Sequence, residues 1–314
     1  MVGIVHREPV VRNPPMPAIS APLRIAIVGA GRIGSAFAFQ LARTGGHDVT
    51  VIARPDSARL NQLERDQAIV DIEGERASVR VDSSLDEETP YDLLIVTLLA
   101  HQADPLLPAL RRSAASCIQF MFNTFQPERL QEAIGAERCA FGMPFVQATL
   151  DGDGRLKAAI GAGGQKTIMS RQRWVDVFNA AGLPSALETQ MPLWLRCHVP
   201  LCVAFESVSV AVERRGGGAS WGEALVLARG VHASFALIKS LGYKVYPRAK
   251  RRIDGSPLWV MAAVLWFMSR IRSFRELLAT GGAECAALVD AMVSAAPLGR
   301  APVVVADIEA MKPT

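Results

Sequence analysis

The run LRIAIVGAGRIGSAFAFQLARTGGHDVTVIAR, residues 23–54, decides the fold. It opens on a short apolar stretch, Leu23 to Val28, which reads as a buried strand. Gly29, Gly31 and Gly34 follow in G-x-G-x-x-G spacing, with Arg32 and Ile33 between the last two. Ser35 to Arg43 then reads as a helix with Phe37 and Leu41 on its apolar face, stopped by Gly45 and Gly46. Asp48 to Ala53 is a second strand, ending at Arg54.

Each glycine has a physical task in such a unit. The first allows the tight turn out of the strand, the second lets a pyrophosphate approach the backbone, and the third lets helix pack on strand. The helix N-terminus adds free N–H groups and a partial positive charge. Gly29, Gly31, Arg32, Ile33 and Gly34 are therefore expected to hold a dinucleotide. An acidic residue at the end of the second strand would accept from the ribose 2′-OH of NAD. Arg54 stands there instead and suits a 2′-phosphate, favouring NADP; an arginine merely solvated at a strand end is the other reading.

Outward from this unit, 314 residues suffice for two domains. Half the residues are hydrophobic, enough for a sizeable core. A net charge of +4 is too mild to argue for nucleic acid but favours anionic small molecules. The five cysteines lack metal-ligand spacing and read as reduced, mostly buried thiols of a cytoplasmic protein, and no metal is expected. Residues 1–22 are proline-rich and lack a secretory core, so they read as a loose extension. The apolar run Pro257 to Met268 is too short to span a bilayer and reads as a buried helix, with Trp259 and Trp266 on its core face. No membrane association is expected.

Strand and helix signals alternate through the first half of the chain. Strands are expected near Tyr91–Thr97, Ser116–Phe122, Cys139–Gly142 and Leu156–Gly161, with Val70 to Val81 as a small hairpin pair. Helices are expected over Ala58–Gln67, Pro105–Arg112, Pro127–Ile134 and Arg171–Ala181. The pattern is that of a Rossmann-type doubly wound α/β sheet, here spanning residues 23–188. Ligands of such sheets lie beyond the carboxyl ends of the strands, which gathers Gly29–Gly34, Arg54, the exit loop Leu98–Gln102 and Asn123. From about Met191 strand signals vanish. An all-helical C-terminal domain, 189–314, is expected, with helices near 192–214, 219–241, 257–279, 283–295 and 303–311 and a loop carrying Arg248, Lys250, Arg251 and Arg252. That charge run reads as a wet surface. A cleft between the two domains would hold the substrate.

The segments VGAGRIG, VTVIAR, LIVTLLAHQ, FMFNTFQ, PLWLRCHVPL and SFRELLATGGAECAALVDAM together resemble the ketopantoate reductase (2-dehydropantoate 2-reductase) family, over about Leu23 to Met311. The resemblance implies NADPH-dependent reduction of a 2-oxo acid such as 2-dehydropantoate, by a monomer or homodimer. It also implies that Asn123 lies near nicotinamide and substrate, that Ser273 and Glu284 lie around the substrate hydroxyls and cofactor, and that Gln102 lies beside the cofactor.

Two positions depart from the family. Leu99 stands where the family has a lysine after the fourth strand, and Arg196 stands where it has its general acid. Leucine carries no charge, and arginine, protonated up to a pKa of about 12, binds a carboxylate but is a poor proton donor. Arg196 is thus expected to grip the substrate carboxylate and His198 to give the proton. The two share a ligand only if the helix starts late, near His198–Pro200. A histidine hydrogen-bonded in the domain interface is the other reading of His198. Glu206 is a further polar candidate two turns on, or a solvated glutamate, and His101 lies near the cofactor or in solvent. Beside the reductase reading stand a non-catalytic NADP-binding sensor, favoured by the lost lysines, and an opine-type dehydrogenase.

Overall fold

A computed structural model describes residues 21–272, 274 and 282–313. Strand β1 (Arg24–Val28) is followed by α1 (Arg32–Arg43), β2 (Asp48–Ile52), α2 (Ala58–Asp66) and a small hairpin of β3 (Ala68–Val70) and β4 (Arg76–Ser78). Next come β5 (Arg80–Asp82), β6 (Leu93–Val96), α3 (Ala100–Ala103), α4 (Leu107–Arg112), β7 (Ile118–Phe120) and α5 (Pro127–Ile134). The unit continues through β8 (Cys139–Met143), β9 (Val146–Leu150), β10 (Leu156–Ile160), β11 (Thr167–Met169), α6 (Gln172–Ala180) and β12 (Ser185–Leu187).

Eight of these strands form one sheet in the order β12-β11-β8-β7-β6-β1-β2-β5, parallel except where β11 runs against β8. Strands buried on both faces need near-continuous apolar runs, and Ile25 to Val28 and Leu93 to Val96 supply them. The chain leaves β1 toward β2 and later returns to β1's other side as β6. The carboxyl ends of β1 and β6 therefore flank the crevice where such sheets bind ligands. The expected Rossmann-type sheet is present, and the sequence patterns missed parts of it. Val79 and Val81 do not close a second hairpin: β5 joins the main sheet beside β2. Strands β9, β11 and β12 carried no strand signal, being short and largely polar at the surface or mixed in pattern. The exit loop after β6 coils into α3.

The second half is all helical: α7 (Met191–Arg196), α8 (Val199–Arg215), α9 (Trp221–Ser240), α10 (Arg248–Asp254), α11 (Leu258–Met268), α12 (Gly282–Ala295) and α13 (Val305–Glu309). The helix expected over 192–214 is two, broken at Cys197 and His198, with Pro200 in the first turn of α8, where its missing N–H costs nothing. Met191–Glu213 is long and apolar enough to cross a membrane, but 78% of its most apolar window is buried inside the protein. The loop expected around Lys250 is helix α10. The helix expected over 257–279 ends at Met268, and Trp259 is 62% exposed rather than core. Met191 and Leu195 pack in the core beneath the sheet, while Phe125 packs among the helices, so the two halves interlock. Helix α12 lies against α3.

Candidate functional site

Two groups of residues meet at the crevice. The first is the glycine turn. Gly29 has a φ of +109°, which an L side chain rarely adopts. A Cβ on Gly34 would stand 1.9 Å from the Gly29 carbonyl oxygen, so the helix can approach the strand only with glycine there. A Cβ on Gly31 would meet nothing within 4 Å, which leaves that backbone open to a ligand. No side chain caps the N-terminus of α1, so its first N–H groups face outward with the helix dipole behind them. Thr97, at the end of β6, donates from Oγ1 to the Gly29 carbonyl at 2.9 Å and ties the two strand ends together. Half-buried Arg59 of α2 braces the turn from behind, donating to the Ala30 carbonyl at 3.1 Å and to Ser35 Oγ at 2.7 Å.

Arg32 and Arg54 are exposed beside this cradle, and neither guanidinium has a partner among the described residues. Ile33 is partly buried in the first turn. Gln102, exposed, accepts from the Leu99 N–H at 3.2 Å and so closes the first turn of α3. The residues fit a dinucleotide: an open glycine, a helix N-terminus free of protein caps, and two cations. A nicotinamide cofactor held there supplies a hydride or accepts one.

The second group lies where β7 ends against the helices. Asn123 is 6% exposed. Its Oδ1 accepts from Cys202 Sγ at 3.5 Å, and it hydrogen-bonds the Glu284 carboxylate. Glu206 stands across from Glu284 and accepts from Cys285 Sγ at 3.2 Å. Burial and the neighbouring Glu284 push Glu206 up to about 8, and burial raises Glu284 against the pull of its Asn123 bond. Two buried carboxyls this close share a proton at neutral pH. The structure brings together Asn123 and Glu284, which the resemblance named separately, and Glu206, which the sequence offered only as a polar or solvated residue. Ser273 lies outside the described residues.

Arg196 and His198 do not converge. Arg196 is buried, ion-paired with Glu128 of α5, and lies over the Tyr243 ring at 4.0 Å. One end of its guanidinium is taken by the Glu128 carboxylate, while its buried Nε has no hydrogen-bond partner among the described residues. Removing Glu128 leaves this cation in a poor solvent. Glu128→Ala should cost about 1–2 kcal/mol, less than a fully enclosed pair because Glu128 is itself 42% exposed. A lowered urea midpoint with an unchanged m-value checks this. His198 turns the other way and stacks on Trp194, ring centres 4.3 Å apart. Burial and nearby Lys250 push its pKa down to about 3, so the ring is neutral and gives no proton at neutral pH.

The side chain whose position departs furthest from the sequence reading is Lys250, expected in a wet charge run. It is 6% exposed, donates to the Trp194 carbonyl at 2.8 Å and lies 3.6 Å from the centre of the Trp194 ring. Burial pulls it down to about 7, against the opposing influence of Cys197, Cys202 and Glu188. Arg248, Arg251 and Arg252 point to solvent as a charge run should. The only available signal was the helical turn itself, which puts one of four neighbouring cations on the inner face.

The fold is a Rossmann-type sheet followed by an all-helical half. Residues 25–171 match the sequence profile of ketopantoate reductase PanE/ApbA. The 2-dehydropantoate 2-reductase of Bacillus subtilis (strain 168) is 32% identical over 102 residues, and that match spans about a third of either chain (32% and 33%). Over its nucleotide-binding half, residues 25–171, the chain matches the ketopantoate reductase family. In fold it is similar to the PanE/ApbA family ketopantoate reductase from Ralstonia eutropha JMP134, with TM-score 0.67 and 16% identity over 92% of this chain and 96% of that one. It is also similar to a D-mandelate dehydrogenase solved with NADH, with TM-score 0.64 and 14% identity over the same shares, 92% and 96%.

Proposed function

We propose that the protein is a cytoplasmic, NADP-dependent reductase of a 2-oxo acid, 2-dehydropantoate or a related compound. What supports this reading is an open phosphate cradle beyond β1 and a buried polar cluster beyond β7, both past carboxyl ends of the parallel sheet. Gly31 and the uncapped end of α1 receive a pyrophosphate. Arg54, unpartnered at the end of β2, receives a 2′-phosphate. Asn123, with both an amide donor and an acceptor, orients the reacting ketone beside the nicotinamide. The anionic substrate enters a site whose buried carboxyls favour their protonated forms, with Lys250 within electrostatic reach of Cys202 beside Asn123.

Arg54→Ala tests the cofactor assignment. NADPH affinity should fall about tenfold to a hundredfold, the loss of one or two charge-assisted hydrogen bonds, while NADH affinity stays within about twofold. Fluorescence titration of the reduced nucleotides reads both. Equal losses would remove the preference for NADP. A panel of 2-oxo acids followed by NADPH absorbance tests the reaction; tight NADPH binding with no turnover on any of them would favour the sensor reading over the reductase.

A further inference from the structure

We propose that Lys250 is the proton donor to the substrate's carbonyl oxygen, a lysine supplied from α10 in place of the one absent at Arg196. The inference rests on the reductase reading.

Reduction of a ketone needs hydride on carbon and a proton on oxygen. Four side chains of the crevice are candidates for the proton. Arg196 is excluded by its pairing with Glu128 and by its strength as a base. His198 is a neutral ring held against Trp194. Glu206, with its shared proton, is occupied by Cys285 and coupled to Glu284, which Asn123 holds. Placing the developing alkoxide there would set it beside a second carboxylate.

Lys250 has the opposite situation. Its charge stabilises an oxyanion and complements an anionic substrate. One of its three N–H groups goes to the Trp194 carbonyl and the Trp194 ring covers another side, which leaves one N–H for a ligand. The segment before it is pinned to α7. The Tyr246 N–H donates to Cys197 Sγ at 3.4 Å, and the Tyr246 hydroxyl donates to Glu188 at 3.0 Å. The ammonium is thus fixed by contacts made before substrate arrives, as a donor must be. The titratable groups that face it are Glu188, Cys197, His198 and Cys202. Lys250 acts electrostatically on Cys202, whose thiol touches Asn123, so one side chain links the amine to the ketone-orienting amide.

The step balances simply. The carbon takes a hydride and its electron pair from the reduced nicotinamide, which is oxidised. The carbonyl oxygen takes the proton from Nζ, and Lys250 is left as a neutral amine that recovers its proton from solvent. Protonated lysine is the competent form, so turnover should fall as pH rises through the Lys250 transition.

The test has two parts on the full chain. In the first, competitive acetylation of the cofactor-free protein across pH, read by mass spectrometry on the Lys250 peptide, should place its transition at least two pH units below that of exposed Lys239. A transition matching Lys239 overturns the proposal whatever the activity. In the second, Lys250→Arg and Lys250→Met should each lower kcat on 2-dehydropantoate or 2-oxo-2-phenylacetate by about 10²–10⁴-fold. NADPH affinity, by fluorescence, should stay within about threefold, since Lys250 is not in the phosphate cradle. If Lys250→Arg keeps kcat and raises only KM, Lys250 anchors a carboxylate and the proposal fails. If Glu206→Gln abolishes the high-pH fall in kcat and Lys250→Met does not, the carboxyl pair is the acid and the proposal fails. A wild-type protein that binds NADPH but reduces no 2-oxo acid removes the reductase reading itself, and the donor role with it.

Discussion

Gly31→Val is expected to leave the protein as stable as the wild type and at least a hundredfold weaker for the dinucleotide. The φ at Gly31 is −75°, which any residue adopts, and a side chain there would enter open space. Its only penalty falls on an incoming pyrophosphate, which needs that space to reach the N–H groups of α1. Gly34→Ala should behave in the opposite manner. A single methyl would stand 1.9 Å from the Gly29 carbonyl and 2.7 Å from Thr97 Oγ1, inside the packing of α1 on β1. Overpacking backbone against backbone costs about 1–3 kcal/mol. The turn that holds the nucleotide would shift with it, so stability and affinity fall together. Thermal denaturation and NADPH titration on both variants separate the two roles. Loss of stability in Gly31→Val, or none in Gly34→Ala, would refute the division of labour among the glycines.

This contrast marks what the sequence could carry. Local rules suffice for the nucleotide turn, because its strand, glycines and helix are contiguous and each residue's task is set by its neighbours. The continuous apolar runs of β1 and β6 announced buried parallel strands for the same reason. The short strands β11 and β12 were illegible. Three residues each, they are held by pairing with strands far away in sequence, and no period of two develops in so short a span. The break between α7 and α8 was half legible: Pro200 signalled a new first turn, and the structure starts α8 at Val199.

The polar cluster shows the same division. Asn123 was readable as a residue at a strand end, and Glu206 by helical spacing from His198. Lys250 was not, because a run of four cations reads as solvated whichever of them turns inward. Its inward turn is decided by α7, whose Trp194 supplies both a ring face and a carbonyl. Arg196 was likewise legible as a cation near the cleft and illegible in direction. Its partner Glu128 lies on α5, 68 residues earlier. Side-chain direction at a domain interface belongs to tertiary structure, and residue type alone does not fix it.

Glu206→Gln should raise stability at pH 8 by a few kcal/mol while changing nothing near pH 4. Glu206 titrates near 4.5 unfolded and near 8 in the folded protein, because burial and Glu284 both oppose its charge. Between those values the folded protein keeps a proton that the unfolded chain has released. Each pH unit in that window then favours unfolding by about 1.4 kcal/mol. Below pH 4.5 both states are protonated and the full stability is present; above pH 8 both are ionised and the loss is complete. Glutamine keeps the volume and an acceptor for Cys285 without the charge, so it removes the slope. Urea unfolding at pH 4, 6 and 8 gives the three points needed. A pH-independent difference would mean that the two carboxyls do not share a proton. The slope matters for the proposed function because a buried acid pair beside Asn123 lowers stability as pH rises above 4.5, and the proton kept on Glu206 limits the negative charge that an anionic substrate would meet.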